Sequence, residues 1–124
     1  MSLLLDTHVF IWWCDNDSRI KQDLRASIET ADKVFVSMAS AWEAAIKISL
    51  GKLRLPQPFQ EGMEASGFHF LPIAFMHADR VASLPYHHGD PFDRMLIAQA
   101  QVERLTLVTS DTRLQAYDLP ILMA

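Results

Sequence analysis

Short strand-like runs alternate with helical stretches along this chain, and that alternation limits the folds open to it. "SLLL" (Ser2–Leu5), "KVFVS" (Lys33–Ser37), "FHFLPI" (68–73), "TLVTS" (Thr106–Ser110) and "PILMA" (Pro120–Ala124) read as strands. Helices are expected over Thr7–Trp13, Ser18–Ala31, Ala39–Leu50, Phe59–Ser66, Met76–Leu84 and Pro91–Arg104, with a short one over Thr112–Tyr117. The second of these places Ile20, Leu24, Ile28 and Ala31 on one face, as a surface helix requires. Gly51 suits the C-terminal cap of the third, and "LPQP" is a turn. Parallel strands need crossover helices, so the pattern calls for an α/β layer fold with a mainly parallel sheet. At 124 residues, one domain over residues 1–124 is expected.

Composition narrows the function classes. Half the residues are hydrophobic and 21% are charged, enough for a core and too apolar for disorder. One cysteine, Cys14, allows no internal disulfide, which fits a reducing cytoplasm. No apolar run approaches the roughly 18 residues that span a bilayer, so no membrane partner is expected. The start, "MSLLLDTH", has no basic segment and is not expected to be a signal peptide. The formal net charge of −4 gives no global pull towards nucleic acid. It still permits a basic patch beside an acidic, cation-loaded site.

The acids fall at informative places. Asp6 follows the first strand and Asp111 follows "TLVTS", so both belong at the carboxyl edge of the sheet, where α/β folds build their sites. Glu43 sits in the first half of the helix after the second strand, and Asp93 in the first turn of the helix leading into "TLVTS". Each also has a local reading. Asp6 and Asp111 can cap the helices that follow them. Glu43 can pair with Lys47 four residues on, or close a capping box with Ser40. In "DPFD", Asp90 serves as N-cap, Pro91 as first helical residue and Asp93 as third. Glu43 shares a stripe with Ala39, Ile46 and Leu50, so it borders the core, where a carboxylate needs a partner. If the four acids converge, each pair at ~4 Å repels by roughly 4 kcal/mol at an effective dielectric near 20. Such a site protonates or binds a cation, and oxygen donors favour a hard one, Mg²⁺ or Mn²⁺.

"LLLDTHVFIWW", "SMASAWEAAIK", "HGDPFDRMLIAQA" and "LVTSD" together resemble the four motifs of the PIN-domain ribonucleases, most closely the VapC-type toxins of bacterial toxin–antitoxin pairs. The resemblance runs from residue 3 to about residue 123. It implies a three-layer α/β/α fold with a central, mainly parallel sheet. It implies metal and catalytic roles for Asp6, Glu43, Asp93 and Asp111, with Thr7 and Thr109 supporting them. Asp93 is preferred to Asp90 because it stands in the D-x-x-(L/I)-x-A pattern, as "DRMLIA". The implied activity is a Mg²⁺- or Mn²⁺-dependent endoribonuclease, using a metal-activated water and leaving 5′-phosphate and 3′-hydroxyl ends. The implied partners are an RNA substrate, a small cognate antitoxin and a second copy of the chain.

Other residues invite readings of their own. Lys47, Lys52, Arg54, Arg94 and Arg113 could hold flanking phosphates, though each alone reads first as a solvated charge. His87 and His88 lack further zinc ligands, so a loop position or an RNA contact is expected for them. His8 reads as a packing or substrate-side residue. Trp12, Trp13 and Trp42 could stack bases, but core or interface positions are expected. Two alternatives to the nuclease remain. A PIN-like module with a dead site would bind RNA or protein without turnover, but none of the acids is missing. A haloacid-dehalogenase-type phosphatase needs a second Asp two residues after Asp6, where this chain has His8.

Overall fold

Leu3, Leu4 and Leu5 are each fully buried, which for one strand means that both faces of its sheet are covered. The computed structural model describes residues 1–124. Its elements are β1 (Leu3–Leu5), α1 (Thr7–Cys14), α2 (Gln22–Thr30), β2 (Val34–Ser37), α3 (Met38–Ser49), α4 (Phe59–Ala65), β3 (His69–Leu71), α5 (Phe75–Ser83), α6 (Pro91–Glu103), β4 (Thr106–Thr109), a 3-10 turn (Thr112–Ala116) and β5 (Ile121–Met123). The five strands form one sheet in the order β3-β2-β1-β4-β5, and every pairing is parallel. The sheet is thus wholly parallel, where a mainly parallel one was expected.

Strand alternation divides the core in two. On one face Leu3, Leu5, Val34, Val36 and Val108 pack with Val9 and Phe10 of α1, Leu24 and Ile28 of α2, and Met63 of α4. On the other, Leu4 and Leu107 pack with Ala39 of α3, Leu84 after α5, and Leu96, Ile97 and Ala100 of α6. Three layers result, α/β/α, as the resemblance implies. No helix is long and apolar enough to cross a membrane.

Most element ends fall within a residue or two of expectation. The larger departure is α2, which starts at Gln22 rather than Ser18. Residues 17–20 form a separate turn instead, closed by the Ile20 N–H on the Asp17 carbonyl at 3.1 Å and braced by the Asp17 carboxylate, which accepts the Arg19 N–H and pairs with its guanidinium. Ile20 still reaches the core from that turn. The stripe assigned to α3 also changes. Its buried residues are Ala39, Ser40, Glu43 and Ala44, while Ile46 and Leu50 are exposed. Gly51 does terminate this helix, at a φ of 70° that glycine adopts without strain.

Arg94 corrects another expectation. Sequence reading takes it first as a solvated charge and otherwise as a phosphate holder, but it is 4% exposed and points inward from α6. Its guanidinium donates to the carbonyls of Val81, Leu84, Pro85 and His88 and to the Tyr117 hydroxyl, at 3.0 to 3.4 Å. It also lies 4.0 Å from the Tyr86 ring centre. No carboxylate pairs with it, so carbonyl dipoles, one hydroxyl and an aromatic face stabilise the buried charge. The planar fork thereby ties the connection between α5 and α6 to the first turn of α6.

Replacing Arg94 with Met removes five hydrogen bonds at once. The expected loss is about 3 kcal/mol, within the range for a broken buried polar network. Urea unfolding measures it as a lower midpoint with unchanged slope. A midpoint that does not move would show that the connection holds its shape without this side chain.

Candidate metal centre

The strand order turns at β1, which pairs with β2 on one side and β4 on the other. Ligand crevices of open parallel sheets lie outside the carboxyl ends of the strands at such a point. Asp6 and Asp111 stand there because β1 ends immediately before Asp6 and β4 ends two residues before Asp111.

Asp6 is 5% exposed. One carboxylate oxygen accepts the Val9 N–H at 2.8 Å and caps α1; the other accepts the Thr109 hydroxyl at 2.5 Å. The cap reading of Asp6 is therefore correct, and it leaves the second oxygen facing Thr109. Glu43 is also buried. Its Oε1 lies 2.6 Å from Thr7 Oγ1, and its Oε2 lies 3.2 Å from Lys47 Nζ. The pairing four residues on is thus real. The capping box with Ser40 is not, because Ser37 caps α3 by accepting the Ala39 N–H and Ser40 instead meets Thr7 at 2.9 Å.

Asp90 and Asp93 take different tasks. One Asp90 oxygen accepts the N–H groups of Phe92 and Asp93 at 2.9 and 3.0 Å, so it caps α6. The Asp93 side chain makes no cap. Its Oδ2 meets His88 Nε2 at 2.8 Å, and the same nitrogen lies 3.8 Å from Asp111 Oδ2. Asp111 accepts the Arg113 backbone N–H and pairs with its guanidinium at 2.8 Å.

All four expected acids line one cleft of about 410 Å³, together with Asp90, His8, Trp12, Lys47, His88 and Arg113. Donor atoms of His88, Asp93 and Asp111 lie within 4.8 Å of one another, while Asp6 and Glu43 stand outside that closest group. His88 is the residue that sequence reasoning missed. Its signal was the nearness of two histidines to "DPFD"; the further ligands that the sequence reading found missing, Asp93 and Asp111, are brought beside it by the fold. Lys52 and Arg54 do not line the cleft. His87 turns away and packs edge-on against Tyr117. Of the tryptophans only Trp12 borders the cleft. Trp13 packs on the core and bonds Ser66, and Trp42 lies edge-on to Phe92.

The electrostatics follow from burial. Desolvation is the main force pushing the Asp6 carboxyl above its usual range, against the hydrogen bonds from Thr109 and Val9; the Glu43 charge adds a little. Asp93 is raised to about 6, chiefly by burial, with the His88 bond opposing and the Asp90 and Asp6 charges assisting. Asp111 goes the other way, held low by the Arg113 guanidinium. Five carboxylates and two permanent cations, Lys47 and Arg113, line the cleft, so negative charge is in excess. Oxygen donors in such excess fit a hard divalent cation.

The PIN domain family model matches residues 3–119. The chain is 30% identical over 122 residues to Ribonuclease VapC22 of Mycobacterium tuberculosis, across 96% of this chain and 94% of that protein. Among solved structures, VapBC2 from Rickettsia felis, bound to a promoter DNA fragment, superposes with a TM-score of 0.74 at 14% identity. That match covers 99% of this chain and 98% of the other. A toxin–antitoxin complex from Klebsiella pneumoniae gives 0.69 at 22% identity, over 97% and 95%. The fold is shared across this set, and the motifs that carry the four acids lie inside the matched span. The chain belongs to the PIN domain family.

Proposed function

We propose that this chain is a metal-dependent endoribonuclease and the toxin of a toxin–antitoxin pair. The observation that carries the reading is the meeting of Asp6, Glu43, Asp93 and Asp111 in one cleft at the carboxyl edge of the sheet. The membership of the PIN family and the relative named Ribonuclease VapC22 support it. These four residues are the proposed ligands, and Mg²⁺ or Mn²⁺ the proposed ion. When bound, such an ion neutralises the carboxylates, polarises a phosphate and lowers the pKa of a water.

The chain's own residues supply the rest. Thr109 and Thr7 fix the inner carboxylates, Asp6 and Glu43, so that little reorganisation is left for the reaction. Lys47 and Arg113 stand in the cleft with the acids and can take flanking phosphates of an RNA strand. His8, exposed beside Trp12, lies on the substrate side. A small antitoxin, a second copy of the chain and a cytoplasmic setting belong to the same reading. Trp42, Ile73 and Tyr86 are exposed and line one groove with Pro91 and Phe92, a clustered apolar surface. That surface supports protein contact.

Two substitutions in one motif separate the roles. Asp93→Asn should lower Mg²⁺-dependent cleavage of a structured RNA by more than about 100-fold, since even indirect supports of metal ligands are worth 10- to 100-fold. Asp90→Asn should retain cleavage and change stability by less than about 1 kcal/mol, because Asn caps nearly as well as Asp. Equal cleavage by wild type and Asp93→Asn, or cleavage that survives EDTA, would sink the catalytic reading. RNA binding without cation-dependent turnover would favour the inactive binding module instead.

A stability measurement probes the same cleft without substrate. Asp93 is partly buried beside Asp90 and Asp6, so its charge opposes folding at pH 7. Asp93→Asn removes that charge and keeps an acceptor for His88. The metal-free protein should then melt roughly 4 °C higher, which corresponds to about 1 kcal/mol for a chain of this size. Added Mg²⁺ should raise the melting temperature of wild type much more than that of the variant. A variant that melts lower without metal would mean that the carboxylates do not strain the fold.

A further inference from the structure

We infer that His88 is the positioning residue for Asp93: its imidazole N–H fixes the carboxylate that, on the reading above, holds the divalent cation. Each of the other three acids has its own support. Asp6 has Thr109 and the Val9 N–H, Glu43 has Thr7 and Lys47, and Asp111 has Arg113. The Asp93 side chain has no Lys or Arg partner, and its one hydrogen bond is to His88 Nε2 at 2.8 Å. An ionised carboxylate can only accept, so that nitrogen carries the hydrogen. Nearby Asp90 and Asp6 repel the Asp93 charge, which without a donor would turn it out of the cleft.

His88 is itself held rigidly. Its side chain is 7% exposed. Its backbone N–H donates to the Tyr117 hydroxyl at 3.1 Å, and its carbonyl lies 3.4 Å from the Arg94 guanidinium and 3.3 Å from the Tyr117 hydroxyl. Arg94 follows Asp93 in α6, and Tyr117 follows the 3-10 turn that Asp111 caps. The chain therefore closes on itself: Asp93 projects into the cleft, and the next residue anchors the loop whose histidine steadies Asp93. Only one Asp93 oxygen is engaged, which leaves the other free for a cation. A Lys or Arg in this place would add a permanent charge in competition with that cation; an imidazole N–H orients the carboxylate without one.

Mn²⁺ binding followed by electron paramagnetic resonance tests this on wild type, His88→Ala and His88→Gln, with RNA kinetics and melting curves alongside. The backbone contacts of residue 88 survive both substitutions, so melting temperatures should stay close to wild type. His88→Ala should bind Mn²⁺ 10- to 100-fold more weakly and lose kcat with little change in KM for RNA. His88→Gln, whose amide nitrogen reaches about as far as Nε2, should recover most of both. Wild-type Mn²⁺ affinity in His88→Ala would overturn the positioning role. So would nitrogen hyperfine coupling from an imidazole bound directly to the ion, which would make His88 a ligand. A loss that His88→Gln fails to restore, together with a lower melting temperature, would reduce His88 to packing. If wild type and variants alike bind no Mn²⁺, the nuclease reading fails and this inference falls with it; normal binding by His88→Ala alone strikes only the inference.

Discussion

Asp6 is a carboxylate driven into the protein at the end of a fully buried strand, within reach of the charges of Glu43 and Asp93. Like charges in a half-dry cleft push one another towards protonation or apart. The surrounding structure opposes both outcomes. Thr109 comes from the end of β4, Thr7 from the first turn of α1, Lys47 from α3 and Arg113 from the 3-10 turn. Each brings a hydrogen-bond donor or a cation to a particular carboxylate. These donors come from separate parts of the chain, and the sheet order brings them together by placing β4 beside β1. The topology thus does electrostatic work as well as burying leucines.

The start of α6 shows how local and long-range forces share one short sequence. Asp90 and Pro91 set where the helix begins, and they need only the backbone of the next three residues to do so. That frees Asp93, one turn in, to project outward. Arg94, next along, points the opposite way, into carbonyls of the connection that leads to α6. Adjacent helix positions lie about 100° apart, so one charge can face the cleft while its neighbour is buried.

What was legible in the sequence is what local chemistry decides. An all-apolar strand followed by an acid placed Asp6 at the sheet edge; "LVTSD" placed Asp111 there; the cap logic of "DPFD" gave Asp90 the N-cap role that the hydrogen bonds match, while the preference for Asp93 came from the "DRMLIA" pattern. The illegible parts depend on residues far apart in the chain. His88 meets the acids because its loop is folded back by Arg94 and by Tyr117, the latter 29 residues further on. Arg94 looked like a solvated cation because periodicity gives a helix face and not the acceptors waiting there. The α2 boundary shifted because the Ile20 N–H bonds the Asp17 carbonyl three residues back, closing a separate turn, and the first bond four residues back is Arg25 N–H to the Lys21 carbonyl. On α3, apolar residues at core-like spacing turned out exposed, because hydrophobicity alone does not distinguish a core from a surface awaiting a partner.

That exposed face lies close to the cleft. Helix α3 carries Glu43 and Lys47 into the cleft and presents Met38, Trp42 and Ile46 to solvent. Trp42 packs edge-on against Phe92, with ring centres 5.1 Å apart. Phe92 lies between Pro91 and Asp93 in the first turn of α6. An exposed apolar residue is therefore in direct contact with the turn that aims a proposed metal ligand. Trp42 is 61% exposed, so this is a surface pair, of the kind worth about 1 kcal/mol beyond its buried area. The exposed apolar face of α3 and the cleft thus adjoin one another, with Trp42 and Phe92 in contact between them.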